Sequence, residues 1–190
     1  MVTRTFISAN IENRETLRNL VTTQQTLNAT GADIKSVEPE NIHITLKFLG
    51  EIPETQVQRV EEKISEISFT PIKLEIEETG VFPNLRRPRV VWAGVKGEIE
   101  KLGQVFMELE EKLESIGFKK EMRRFQPHIT IGRVRSGRNR EKLVHELLQL
   151  QNKKYGEVTV NQISFMKSEL TRHGPIYTQL AASAQFTAYP

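Results

Sequence analysis

The chain has 190 residues, no cysteine, 27 Lys and Arg against 24 Asp and Glu, and a net charge of +3. That length suits one domain or two small lobes around a sizeable core. With no cysteine there is no disulfide framework and no thiolate metal site, and no run of about 18 apolar residues is present to cross a membrane as a helix.

Met1-Val2-Thr3-Arg4-Thr5-Phe6-Ile7 lacks the apolar region of a signal peptide and reads as a first strand over 2–9, so a cytoplasmic protein is expected. Residues 13–28 set Leu17, Leu20, Val21 and Leu27 on one helical face, and Gly31 ends that helix. Asp33–Val37 is a short strand, and Pro39-Glu40-Asn41 turns the chain into His43-Ile44-Thr45-Leu46, an extended stretch closed by Gly50 and Pro53. Val57, Val60, Ile64 and Ile67 predict a helix over 54–67. Ile72, Leu74 and Ile76 alternate with charged residues as a half-buried strand, followed by a loop with Gly80, Pro83 and Pro88 and the apolar strand Val90–Val95.

The second half repeats this order. Ile99, Leu102, Phe106, Leu109, Leu113 and Ile116 mark a long helix that Gly117 terminates. Pro127 leads into His128-Ile129-Thr130-Ile131, and a helix follows from Gly137 to about Leu150 with Leu143, Leu147 and Leu150 on one side. Val158, Val160, Ile163 and Phe165 predict a strand, Gly174-Pro175 a turn, and Tyr177–Phe186 a last strand. The fold class expected is α+β, with two similar lobes of antiparallel sheet and outer helices flanking a central cleft.

The chain thus writes His-Ile-Thr-apolar twice. In a strand, residues i and i+2 share a face, so His43 and Thr45 point one way while Ile44 and Leu46 point the other, and His128 and Thr130 repeat the arrangement. Two imidazoles near neutrality form an acid–base pair, and the two hydroxyls suit a phosphate oxygen without adding charge. No Gly-x-Ser-x-Gly, Walker A or Gly-x-Gly-x-x-Gly sequence is present, and the four His show no metal-ligand spacing. The pattern therefore suits in-line attack on phosphorus with no metal or other cofactor. Between 119 and 140, Lys119, Lys120, Arg123, Arg124, Arg133, Arg135, Arg138 and Arg140 face the single acid Glu121. Such a cluster is the footprint expected of a polyphosphate partner, or else a solvated loop and helix start.

The paired motifs resemble the signature of the two-histidine phosphoesterase superfamily. Within it, Lys47-Phe48-Leu49-Gly50-Glu51, Phe125-Gln126-Pro127-His128, Gly132-Arg133-Val134, Ser168-Glu169-Leu170 and Gly174-Pro175-Ile176-Tyr177 resemble the RNA 2′,3′-cyclic phosphodiesterases, also known as 2′-5′ RNA ligases. The resemblance runs from Arg4 almost to the end. It implies a single bilobal domain over 1–190 and metal-independent hydrolysis of RNA 2′,3′-cyclic phosphate ends to 2′-phosphates, with joining of tRNA halves as a weaker activity. It further implies His43 as general acid, His128 as general base, and Thr45, Thr130 and Arg133 as phosphate ligands. A monomer and no membrane partner are expected.

Parity divides the remaining cations. Arg133 stands five residues after His128, the wrong parity for an ideal strand, so a bulge near Gly132 must re-aim it. Lys47 has the right parity and is a candidate RNA contact, as are Arg123, Arg124, Arg135 and Tyr177. Phe82 and Trp92 read as core or base-stacking residues, Arg86, Arg87 and Arg89 as phosphate contacts or hairpin solvation, and His145 and His173 as surface residues. Two rival readings are a non-catalytic RNA-binding module and a phosphoesterase for a small cyclic phosphate. The salt dependence of affinity separates the last from an RNA enzyme.

Overall fold

The computed structural model describes residues 2–172 and 174–185, so His173 and Phe186 lie outside the described residues. Strand β1 (Val2–Asn10) leads to helix α1 (Arg14–Ala29), β2 (Ile34–Ser36), a 3-10 turn at Pro39–Asn41 and β3 (His43–Pro53). Then come α2 (Glu54–Ser65), β4 (Ile72–Phe82), β5 (Val90–Gly97), α3 (Ile99–Glu114) and β6 (His128–Val134). The chain closes with α4 (Arg140–Gln149), β7 (Lys154–Val160), β8 (Ser164–Leu170) and β9 (Pro175–Ala182).

The nine strands form one sheet in the order β7-β4-β5-β6-β3-β1-β8-β9, with β2 also paired to β6 and every named pairing antiparallel. The two expected lobes are the halves β7-β4-β5-β6 and β3-β1-β8-β9, and the histidine strands β3 and β6 are the neighbours at which they join. Helix α1 starts where Asn13 accepts from the amides of Glu15 and Thr16, both at 3.0 Å, satisfying two of the first-turn donors. Its buried face is Thr16, Leu20, Thr23, Gln24 and Leu27. Helix α2 buries Val57, Val60 and Ile64, and α3 buries Leu102, Val105, Phe106, Leu109 and Leu113. These faces cover a core containing Ile7, Ile44, Leu74, Ile76, Ile129 and Phe165.

Two predicted strands change. The single strand expected around 158–165 is two, β7 paired with β4 and β8 paired with β1, on opposite halves of the sheet. The step of three between the buried Val160 and Ile163 breaks the period of two, and that is where the chain crosses between halves. The strand expected to end near Glu77 continues to Phe82, because a bulge at Glu78, with φ 65°, lets pairing to β5 resume at Thr79. Gly80 is therefore a strand residue and not part of a loop. A Cβ there would stand 2.1 Å from Cζ2 of Trp92, so the indole lies flat on this glycine. Gly80→Ala is expected to destabilise by about 1–3 kcal/mol through overpacking, measured by chemical denaturation.

Candidate active site

Antiparallel pairing of β3 with β6 is centred on Ile44 opposite Ile129, both fully buried. Extending that register by one residue sets His43 across from Thr130 and Thr45 across from His128. The two motif copies thus meet head to tail, and their polar face is the junction of the two sheet halves.

Each copy then breaks at its fourth residue. Along β1, Ser8 pairs with Thr45 and Ile7 with Lys47, so Leu46 is an extra residue. Along β5, Trp92 pairs with Thr130 and Val91 with Gly132, so Ile131 is extra. A bulge shifts the parity of everything after it. Ile131 and Gly132 are consecutively buried, and Arg133 emerges exposed on the face of His128 and Thr130. The re-aiming that Arg133 required is therefore present. The same device removes Lys47. It pairs with buried Ile7, and its ammonium bonds to Glu110 at 2.5 Å and to the Lys119 carbonyl at 2.8 Å, its side chain only 9% exposed. The expectation of Lys47 as a cleft cation is corrected: the bulge at Leu46 sends it to α3.

Both imidazoles are held alike. His43 Nδ1 donates to the Asn41 carbonyl at 2.7 Å and His128 Nδ1 to the Gln126 carbonyl at 2.9 Å, each two residues upstream. A proton fixed on Nδ1 leaves Nε2 as the reactive nitrogen of the neutral ring. His43 Nε2 lies 3.0 Å from the Thr45 hydroxyl, which donates to it. Burial lowers the pKa of His43 below the ordinary imidazole value, and the bond to the Asn41 carbonyl offsets only part of that.

Aromatic rings wall each histidine. Phe6 stacks on His43 with centroids 5.0 Å apart, and Tyr177 meets it edge-on at 5.6 Å. Phe82 meets His128 edge-on at 5.1 Å and tilts over Trp92 at 5.3 Å. Tyr177, read from sequence as a strand residue, is half-buried at the site; burial raises its pKa while Arg133 and Arg4 pull it down. Arg123 and Arg124 are exposed on the segment between α3 and β6, and Arg135 is exposed just beyond β6. His145 lies on α4, beside Glu141 and Thr26, apart from the histidine strands.

Sequence reasoning missed three supports. The Gln24 side chain donates to Ile131 O at 2.9 Å and Val37 O at 2.7 Å, so α1 satisfies the carbonyl of the bulged residue. Asn41 fixes His43 through its carbonyl and donates its side-chain amide to Pro175 O at 3.0 Å, tying the start of β9 to the site. Phe6 looked like any strand aromatic. Only the position of Asn41 and Gln126 two residues before each histidine was open to a reader of the sequence. Among the described residues, no three His, Asp or Glu side chains gather closely enough to hold a metal.

The description LigT-like phosphoesterase fits the chain over residues 11–92 and 94–177. An RNA 2′,3′-cyclic phosphodiesterase of Methanothermobacter thermautotrophicus is 39% identical over 95% of this chain and 97% of its own length. One of Archaeoglobus fulgidus is 42% identical over 77% of this chain and 81% of its own. Among crystal structures, the protein TT0787 of Thermus thermophilus aligns with a TM-score of 0.75 at 26% identity, covering 94% of this chain and 96% of its own. E. coli LigT complexed with 3′-AMP shares the fold, with a TM-score of 0.76 at 22% identity over 96% and 97% of the two chains.

Because folding lowers the His43 pKa, the unfolded chain takes up this proton first as pH falls. The stability linked to the neutral ring is complete above about pH 6.5, the ordinary imidazole value, and is lost as pH drops through the folded pKa. The thermal midpoint is expected to fall in that window for wild type and to fall less for His43→Gln. Parallel pH curves for the two proteins would refute this.

Proposed function

The chain belongs to the LigT-like phosphoesterase family, and we propose that it is an RNA 2′,3′-cyclic phosphodiesterase that opens terminal cyclic phosphates to 2′-phosphates. The observation that carries the reading is the duplicated His-Ile-Thr strand, with both Nδ1 protons donated to backbone carbonyls and both motifs meeting at one seam. The chain works as one bilobal domain over residues 1–190. We also take it to act as a monomer in the cytoplasm.

In this mechanism the cyclic phosphate sits between the two imidazoles and accepts from Thr45 and Thr130, with the Arg133 guanidinium stabilising charge that grows on the equatorial oxygens. His128 Nε2 takes a proton from water as the water oxygen bonds to phosphorus. The P–O3′ bond breaks in line, and His43 gives its Nε2 proton to O3′. The product carries a 2′-phosphate and a 3′-hydroxyl, and solvent returns the proton from one ring to the other. A 5′-hydroxyl in place of water, deprotonated by His128 while His43 again protonates O3′, gives the 2′-5′ joining of tRNA halves as a weaker activity. Arg123, Arg124 and Arg135 supply exposed positive charge for the body of the RNA.

The test is an RNA oligonucleotide ending in a 2′,3′-cyclic phosphate, assayed with EDTA present. Wild type is expected to form the 2′-phosphate, while His43→Ala and His128→Ala each lose about 10²–10⁴-fold in rate and still bind the RNA. Binding without turnover by wild type would leave a binding module instead.

The pH profile tests the assignment of roles. If His43 is the acid, its lowered pKa makes kcat/KM of the free enzyme fall on the alkaline side from below about pH 6.5. If His43 is the base, the same group sets the acidic limb instead. His43→Ala removes whichever limb belongs to it.

Gln24→Leu is expected to lower kcat by disturbing the bulge that aims Arg133. The effect should largely vanish in an Arg133→Ala background, a double-mutant cycle that a purely structural role for Gln24 would not satisfy.

A further inference from the structure

Helix α3 holds the segment that leads into His128 at two points. Lys119 to Pro127 contains no helix or strand, yet Gln126 presents its carbonyl to His128 Nδ1 at 2.9 Å. Gln126 is itself exposed. On the other histidine strand, Asn41 has an anchor of its own, the bond from its side-chain amide to Pro175 O at 3.0 Å. For Gln126 the anchor is one residue earlier. The Phe125 ring lies against Phe106 of α3, with centroids 4.3 Å apart and planes 7° from parallel. One turn further along α3, Glu110 accepts the Glu121 amide at 2.7 Å. Residues four apart on a helix share a face, so Phe106 and Glu110 grip Phe125 and Glu121 together. Both helix residues are buried, Phe106 at 8% exposure and Glu110 at 5%.

From this we infer that Phe106, Phe125 and Glu110 are positioning residues for His128: they fix the Gln126 carbonyl, which keeps the imidazole proton on Nδ1 and leaves Nε2 bare. Their bearing on rate rests on the proposed cyclic phosphodiesterase reaction, in which that Nε2 takes a proton from water. Pro127 leaves little freedom between Phe125 and His128. Its ring fixes its own φ at about −65° and confines the preceding residue, Gln126, to extended conformations. A displaced Phe125 therefore carries the carbonyl with it.

The hold of Glu110 depends in turn on Lys47. One carboxylate oxygen binds the Lys47 ammonium at 2.5 Å and the other takes the Glu121 amide, so a single buried group serves both. The ammonium also donates to the Lys119 carbonyl at 2.8 Å, closing the segment onto α3 at its start. Lys47 belongs to β3, the strand of His43. The cation that the bulge at Leu46 turns away from the cleft thus supports the opposite histidine.

The experiment uses Phe125→Ala and the double variant Lys47→Met, Glu110→Leu, which leaves no unpaired buried charge. With an RNA 2′,3′-cyclic phosphate, kcat is expected to fall about 10- to 100-fold in each, because rate magnifies small misplacements of a reacting group. KM should stay within about 2-fold, since the phosphate ligands are untouched. Phe125→Tyr keeps the ring and should restore most of the rate. Phe125→Leu keeps apolar bulk without a flat face and carries the same test if the alanine variant does not fold. The readout that a merely structural role would not move is the tautomer. Imidazole ¹⁵N spectra are taken at about pH 8, above the ordinary imidazole pKa. They should show His128 protonated on Nδ1 in wild type and divided between Nδ1 and Nε2 in Phe125→Ala, with His43 unchanged. Unaltered His128 signals, or equal changes in both rings, would overturn the positioning role and leave the phosphodiesterase reading standing. Failure of wild type to hydrolyse the RNA would overturn the reaction itself, and the spectra would still decide the positioning.

Discussion

The constraint on which the site depends is a pair of β-bulges, one at the fourth residue of each His-Ile-Thr-apolar motif. Before the bulge, strict alternation buries Ile44 and Ile129 and turns His43, Thr45, His128 and Thr130 to the other face. After it, parity is reversed. The two strands use that reversal differently: β6 brings Arg133 to the polar face, and β3 turns Lys47 away from it. A bulge frees backbone groups from the ladder, and buried backbone groups must find other partners. At Ile131 the partners are the Val37 amide at 3.1 Å and the Gln24 side chain at 2.9 Å.

Lys47 is not idle in its buried position. Glu110, itself 5% exposed, holds the ammonium through one carboxylate oxygen and accepts the Glu121 amide at 2.7 Å through the other. Lys47 adds a bond to the Lys119 carbonyl. The pair therefore fastens the start of the basic segment before His128 to the strand of His43. A buried ion pair adds little net stability over apolar residues of the same shape, but breaking it leaves an uncompensated charge. Its effect here is geometric: the two histidine strands are tied through α3 as well as through their own pairing.

The same economy governs the imidazoles. Each is oriented by a carbonyl two residues upstream, which costs no side chain and sets the tautomer from the backbone just ahead of its strand. Their surroundings then differ. His43 is stacked on Phe6, flanked by Tyr177 and desolvated, whereas His128 has Phe82 at its edge. In the proposed reaction these different walls make the two copies unlike proton carriers, the usual way a site divides acid from base.

The period of nearly every element, the α+β class and the four residues of the repeated motif were legible in the chain, because alternation and helical spacing are local properties. A bulge ahead of Arg133 was legible too, since parity is countable. Three things were not. An identical bulge reverses Lys47, one run of apolar residues is split between β7 and β8 on opposite halves of the sheet, and Tyr177, Phe6 and Ser8 converge on His43. Those facts depend on which strands become neighbours. A bulge is defined only against the strand it pairs with, and a wall only by the side chains that distant segments bring to it, so they arise with the folded sheet and not before it.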